Sequence, residues 1–158
     1  MDLRQYDSAT CSVARALDIV GQPWVLLVLR EAFYGLRRFS DIQDHLGVSR
    51  SVLASRLEAM VREDLLERRP YREPGQRERT EYVLTDKGRG LYPVIVALRQ
   101  WGDEHLTGDA GVPVHTEHEG CGATVRAALV CDAGHVVGVD EVERRPGPGH
   151  RLRATAAH

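Results

Sequence analysis

A mainly α-helical chain with a small β-hairpin wing and a small β-rich C-terminal extension is what three features of the sequence predict. Apolar residues recur at helical spacing in several segments, a tight glycine turn at Gly47 separates two of those segments, and two strand-like runs flank Pro74-Gly75. With 158 residues the chain can hold one well-packed domain and an appendage, not two full-sized domains. In the first helix, Ser12–Val20, the residues Val13, Ala16, Leu17 and Val20 fall on one face, and Gly21 can end it. Pro23 then stands where a helix tolerates proline, in the first turn of WVLLVLREAF, a second helix apolar round most of its circumference and therefore destined for the core. Ser40 with Gln43 forms a capping-box pattern that opens a short helix over 41–46, and Gly47 supplies a left-handed residue to close it. Ser49 caps the next helix, which runs to about residue 64. On it Leu53, Leu57, Met60 and Val61 share one face, while Ser51, Ser55, Glu58 and Arg62 share the opposite one. Residues 66–71 and 80–84 read as strands around the Pro74-Gly75 turn. Two helices joined by a tight turn and followed at once by a hairpin define a winged helix-turn-helix.

Thr85 caps a long helix through about residue 105, where Leu91, Ile95, Leu98, Trp101 and His105 recur near heptad spacing. Gly88, Gly90 and Pro93 predict a bend in its first turns. A monomer of this size has few places to bury that stripe, so it is a candidate dimerisation surface. The expected organisation is a DNA-binding and dimerisation domain over 1–106, a linker over 107–120, a small β extension over 121–145 and a flexible tail over 146–158.

Charge narrows the function. A net charge of -2 argues against a protein that coats nucleic acid through a general positive field, so any DNA contact must be local. Between Arg50 and Arg79 eight arginines stand among six acids, a local excess of cations. No apolar run approaches the about 20 residues of a membrane span, and the opening MDLRQYDSATCS does not read as a signal peptide; a cytoplasmic protein with no membrane partner is expected. Three cysteines, Cys11, Cys121 and Cys131, do not suit a secreted disulfide framework and suggest free thiols or a metal site. A glycine-rich phosphate loop, a nucleophile elbow and a His-Glu metal motif are all missing, which argues against an enzyme.

Reading a major groove takes a helix whose open face carries short hydrogen-bonding side chains flanked by cations that hold phosphates. Ser40, Ser49, Arg50, Ser51, Ser55 and Arg56 are the candidates on the two helices. In the wing, Arg72, Arg77 and Arg79, with Arg68 and Arg69 beside them, can track phosphates or enter a minor groove. Two blander readings stand beside these. The polar face is also what any solvated helix shows, and Glu67, Glu73, Glu78 and Glu81 can tie part of the arginines into a surface network. A winged helix that docks on protein rather than DNA would show the same pattern.

The residues CSVARALDIVGQPWVLLVLREAFYGLRRFSDIQDHLGVSRSVLASRLEAMVREDLLERRPY and TEYVLTDKGRGLYPVIVALRQWGDEH together resemble the HxlR family of winged-helix regulators, relatives of MarR. The resemblance covers about two thirds of the chain. It rests on Cys11 before the first helix, the Gly21-to-Trp24 step, Arg38-Phe39-Ser40, the EYVLTDKG join and Trp101-Gly102. It implies a homodimer formed by the first and last helices, through Val13, Leu17, Leu91, Ile95, Leu98 and Trp101. It further implies a near-palindromic double-stranded DNA operator, and repression or activation of neighbouring genes; we read the chain as a repressor released by a signal. In several members the cysteine at the place of Cys11 senses quinones, aldehydes or oxidants, and the start of a helix favours an anion there. A small aromatic, quinone or aldehyde effector is the corresponding partner. The other reading of Cys11 is a small packed residue that seats the first helix.

His118-x-x-Cys121 and Cys131-x-x-x-His135 offer two pairs of nitrogen and sulfur donors with a β-prone stretch between them, the kind of set a structural zinc takes in a zinc ribbon. His115 or Asp132 could substitute for one ligand. A small hairpin without metal fits the same residues, and a metal-dependent sensor is the third functional reading.

Overall fold

A computed structural model of the chain describes residues 7–152. It divides into two compact units: a larger one, Pro23–Ala127, and a smaller one made of the described residues before and after it.

The smaller unit holds α1 (Ser12–Val20), the helix that the spacing of Val13 and Leu17 predicts. Cys11 occupies its N-cap, and the Gly21 amide donates to the carbonyl of Leu17 at 2.7 Å to end it. A tight hairpin follows later in the chain, where the Cys131 amide donates to the carbonyl of His135 at 3.0 Å beside a Val130–Val136 bridge. Residues 153–158 of the expected tail lie outside the described residues; within 147–150 the chain makes a turn, the His150 amide donating to the carbonyl of Gly147.

The larger unit runs α2 (Pro23–Phe33), α3 (Phe39–Leu46), α4 (Arg50–Arg62), β1 (Leu66–Tyr71), β2 (Arg79–Leu84), α5 (Asp86–Arg89) and α6 (Tyr92–Leu106). Its core gathers round α2, which packs against α3, α4, α6 and β2. Val25, Val28 and Leu29 of α2, Ile42 of α3, and Leu53, Leu57 and Met60 of α4 are buried together with Leu65, Leu66, Val83, Leu84 and Val96. Each large aliphatic side chain withdrawn from water in this way contributes about 1.5–3 kcal/mol. No single helix among the described residues is long and apolar enough to cross a membrane.

The turn between α3 and α4 forms as its glycine predicts: Gly47 sits at φ 62°, where a side chain would be strained, and its amide donates to the carbonyl of Gln43. The start of α3 differs from expectation. The helix begins at Phe39, one turn-position before Ser40, and Ser40 spends its hydroxyl on Asp41 Oδ1 at 3.0 Å instead of capping the backbone. Arg38 takes the N-cap because Arg37 and Arg38 are held extended against β2: the Tyr82 amide donates to the Arg37 carbonyl at 2.8 Å, and Arg38 bridges Glu81.

At its other end α4 stops in a Schellman motif, with the Leu65 amide bonded to the Met60 carbonyl and the Asp64 amide to that of Val61. Asp64 takes the left-handed residue of that motif, at φ 57°. The strand-to-helix join then clamps this end. Thr85 Oγ1 donates to the Asp64 carbonyl at 2.6 Å, Lys87 Nζ to the Glu63 carbonyl at 2.5 Å, and the Thr85 amide to the Leu65 carbonyl at 3.2 Å. Gly88 completes the clamp by closeness: a Cβ there would stand 2.1 Å from the Leu65 carbonyl oxygen.

The two strands pair antiparallel from Leu66 opposite Leu84 to Tyr71 opposite Arg79, and the Gln76 amide closes the turn on the Glu73 carbonyl at 3.0 Å. Arg38 reaches the wing from the start of α3. Its guanidinium lies 4.7 Å from the Tyr71 ring centroid and 2.7 Å from Glu73.

The predicted long helix is two helices. Proline at position 93 has no amide to give the carbonyl of Arg89, and its ring collides with that carbonyl, so a continuous helix cannot pass. The chain tightens instead, with the Leu91 amide on the Gly88 carbonyl, and α6 restarts with Pro93 in its first turn. Among the described residues, the expected β-rich extension takes the form of isolated bridges, Glu117–Thr124 and Val130–Val136; frequent glycines and short spacing keep its strand runs short.

Two outcomes follow from these contacts. Gly88→Ala forces the join away from α4 and lowers stability by roughly 1–3 kcal/mol, read as a fall in the urea midpoint. Arg38→Ala removes the ion pair and the ring contact; hydrogen exchange over 72–78 accelerates while the amides of α2 and α4 keep their protection.

Candidate nucleic-acid interface

Burial of Leu53, Leu57 and Met60 fixes the rotation of α4, and that rotation decides what the other face shows. Ser51, Ser55, Glu58 and Arg62 are exposed on it, as the helical period requires. Ser49 caps the helix, its hydroxyl accepting from the Val52 amide at 3.4 Å and lying 3.3 Å from the Ser51 hydroxyl. Arg50 crosses back to α3, its guanidinium 5.1 Å from the Phe39 ring centroid, which fixes it at the mouth of the turn. Arg56 is half-buried, and its Nε has no hydrogen-bond partner among the described residues. That Nε is itself buried, so only the outer nitrogens of the Arg56 guanidinium can reach beyond the protein.

In the wing the carboxylates take some arginines and leave others. Glu58 pairs with Arg68, Glu67 with Arg69 at 2.8 Å, and Glu73 with Arg38. Arg79 donates to Gln76 at 3.1 Å. Arg72 and Arg77, at the turn of the hairpin, are exposed and make no ion pair or hydrogen bond among the described residues. The tip is thus the part of the wing with cations to spare, and Arg68 and Arg69 serve the surface network.

One polar cluster escapes sequence reasoning. Glu31, fully buried in α2, accepts from Arg30 Nε at 2.8 Å on Oε1 and lies 2.6 Å from His45 Nδ1 on Oε2. It ties α2 to α3 and so orients the first helix of the helix-turn-helix pair. The signal was present: Glu31 follows Val28 by three residues, on the buried face, where a carboxylate must find partners.

The dimerisation candidates divide by unit. In the larger one, Leu98 and Trp101 are 52% and 55% exposed, and Leu91 and Ile95 are half-buried. In the smaller one, Val13 and Leu17 are 67% and 56% exposed, and Cys11 is half-buried with no cap bond from its side chain. Leu26, Leu27, Tyr34, Ile95 and Leu98 line a largely apolar cleft of about 200 Å³ between α2 and α6.

The zinc-type ligands are placed as follows. His118 Nδ1 lies 3.2 Å from Cys121 Sγ across a tight turn of the larger unit, and Cys131 and His135 stand at the hairpin of the smaller unit. A tetrahedral zinc needs four donors; among the described residues of each unit by itself, no group of three or more His, Cys, Asp or Glu side chains is assembled.

The sequence profile described as HxlR-like helix-turn-helix matches residues 19–110. Rv3095 of Mycobacterium tuberculosis, an uncharacterised HTH-type transcriptional regulator, is 42% identical over 147 residues, 92% of this chain and 92% of that one. The crystal structure of PA1607 superposes with a TM-score of 0.78 at 32% identity, covering 93% of this chain and all of that one. The reduced form of the transcriptional regulator YodB from B. subtilis has a TM-score of 0.52 at 25% identity, over 64% of this chain and 96% of that one. A profile that runs from the end of α1 past the end of α6, joined to a relative alike over nearly its whole length, puts this chain in the HxlR family of MarR-like, DNA-binding helix-turn-helix transcriptional regulators.

Proposed function

We propose that two copies of this chain bind a near-palindromic operator in the cytoplasm and repress the adjacent gene until a signal releases them. One α4 enters each of two major grooves about 34 Å apart, the spacing of one helical turn of DNA. The observation that carries this reading is the bare face of α4, where Ser51 and Ser55 are exposed next to the exposed Arg50 at the mouth of the turn. Arg72 and Arg77 at the wing tip supply phosphate or minor-groove contacts. Exposed Leu98 and Trp101, a stripe too apolar for a surface helix to leave in water, support pairing of two copies.

Release follows from a change at the dimer surface that alters the separation of the two α4 helices. Two chemistries are compatible with it. Cys11 is half-buried rather than sealed, which supports modification by a quinone, an aldehyde or an oxidant. The apolar cleft between α2 and α6 suits a small aromatic or aldehyde ligand.

Sequences selected from random DNA by the purified protein provide the operator for two tests. Arg50→Ala and Arg56→Ala each weaken binding to it by about 1–3 kcal/mol and relax the selected sequence, whereas losing Arg72 and Arg77 weakens all sequences alike and flattens the salt dependence. Affinity indifferent to all four changes would mean that α4 docks on protein instead. The operator complex of Cys11→Ser persists at quinone or peroxide concentrations that dissociate the parent; equal dissociation removes the thiol branch and leaves the ligand branch.

A further inference from the structure

Past the end of the family match at residue 110, the chain turns back and builds a second cavity on α6. Residues 116–125 form a narrow hairpin, with the Val125 amide on the Thr116 carbonyl at 2.8 Å and the His118 amide on the Ala123 carbonyl at 2.8 Å. Two side chains of α6 pin it. Arg99 Nη1 donates to Thr116 Oγ1, and Gln100 Oε1 accepts from the Ala127 amide at 3.1 Å. Between hairpin and helix lies a cleft of about 430 Å³, within the size range of small-molecule sites.

The chemistry of its walls is specific. Val112, Val114 and Val125 give it an apolar patch. The fixed charges balance: two guanidiniums, Arg99 and Arg126, and two carboxylates, Asp103 and Glu104. Arg99 and Asp103 answer each other at 3.7 Å across one turn of α6. Arg126 and Glu104 make no ion pair or hydrogen bond among the described residues. A simple anion entering here meets two carboxylates, and a simple cation meets two guanidiniums. A molecule that carries both charges with an apolar arm meets a partner at each point.

We propose that this cleft binds a small zwitterion with an apolar arm, of the class of the aliphatic and aromatic α-amino acids. Arg126 takes the carboxylate, Glu104 takes the ammonium, and the valines cover the side chain. Because the cleft's floor is α6, the helix that also presents Leu98 and Trp101, occupancy stiffens the segment on which the proposed dimer surface lies. The binding itself is measured without DNA, so its outcome is independent of the operator reading.

Isothermal titration of the full chain at neutral pH tests it with L-leucine, L-valine, L-isoleucine and L-phenylalanine as probes, and with two truncated forms of leucine: 4-methylpentanoate, without the ammonium, and 3-methylbutylamine, without the carboxylate. At least one amino acid binds at one per chain, and each truncated form binds at least roughly tenfold more weakly than leucine, the loss of one charge-assisted contact. Arg126→Ala and Glu104→Gln each weaken the binding by a similar factor and leave the ligand-free thermal midpoint unchanged, since both side chains are exposed. No heat from any of the four amino acids at millimolar concentration, truncated forms that bind as well as leucine, or full affinity in either variant would overturn the assignment.

Discussion

The structure of this regulator turns on the burial of one apolar stripe. Leu53, Leu57 and Met60 leave water on the side where α4 packs against α2 and β1, and once they do, α4 has a single permitted rotation about its axis. The serines and arginines of its outer face are displayed as a consequence of that rotation, not through contacts of their own. The neighbouring elements serve to keep the helix there. Gly47 closes the turn ahead of it, the Glu31 cluster sets α3 against α2, and the join around Thr85 and Gly88 fastens its last carbonyls. A rigid, buried underside is how a small domain leaves the side chains on a helix's outer face with little freedom.

Local charge rather than total charge makes the surface suitable for DNA. A chain with a net charge of -2 has no general attraction for phosphate, which favours a regulator that must discriminate among sites over one that coats them. Within the wing, carboxylates draw Arg38, Arg68 and Arg69 into ion pairs that stiffen the hairpin and hold it near α4. Arg72 and Arg77 have no ion-pair or hydrogen-bond partner among the described residues. Division of labour among chemically identical side chains is therefore set by which acids stand within reach.

Much of this was legible in the primary structure because it depends on neighbours in sequence. The periods of apolar residues located α1, α2 and α4 and gave the face of each, since a helix repeats every 3.6 residues whatever surrounds it. Gly47, Ser49 and Pro74-Gly75 marked turns and a cap whose chemistry is local. The run of matched residues from Cys11 to Trp101-Gly102 pointed to the HxlR family before any coordinates did. Ser40 misled because a capping box is also just a serine three residues before a glutamine, and the extended hold of Arg37 and Arg38 on β2 moved the start of α3. The bend foreseen near Gly88 and Pro93 is a full break.

Sequence alone determined the helices, the tight turn, the hairpin and the polar face of α4, because backbone propensity and hydrophobic period act over a few residues. Tertiary structure decided which arginines are spoken for, why a carboxylate can lie buried at Glu31, why position 88 admits no side chain, and that residues 112–126 fold back to wall a cleft on α6. Those outcomes depend on distances between groups far apart along the chain, and such distances exist only after the core has closed.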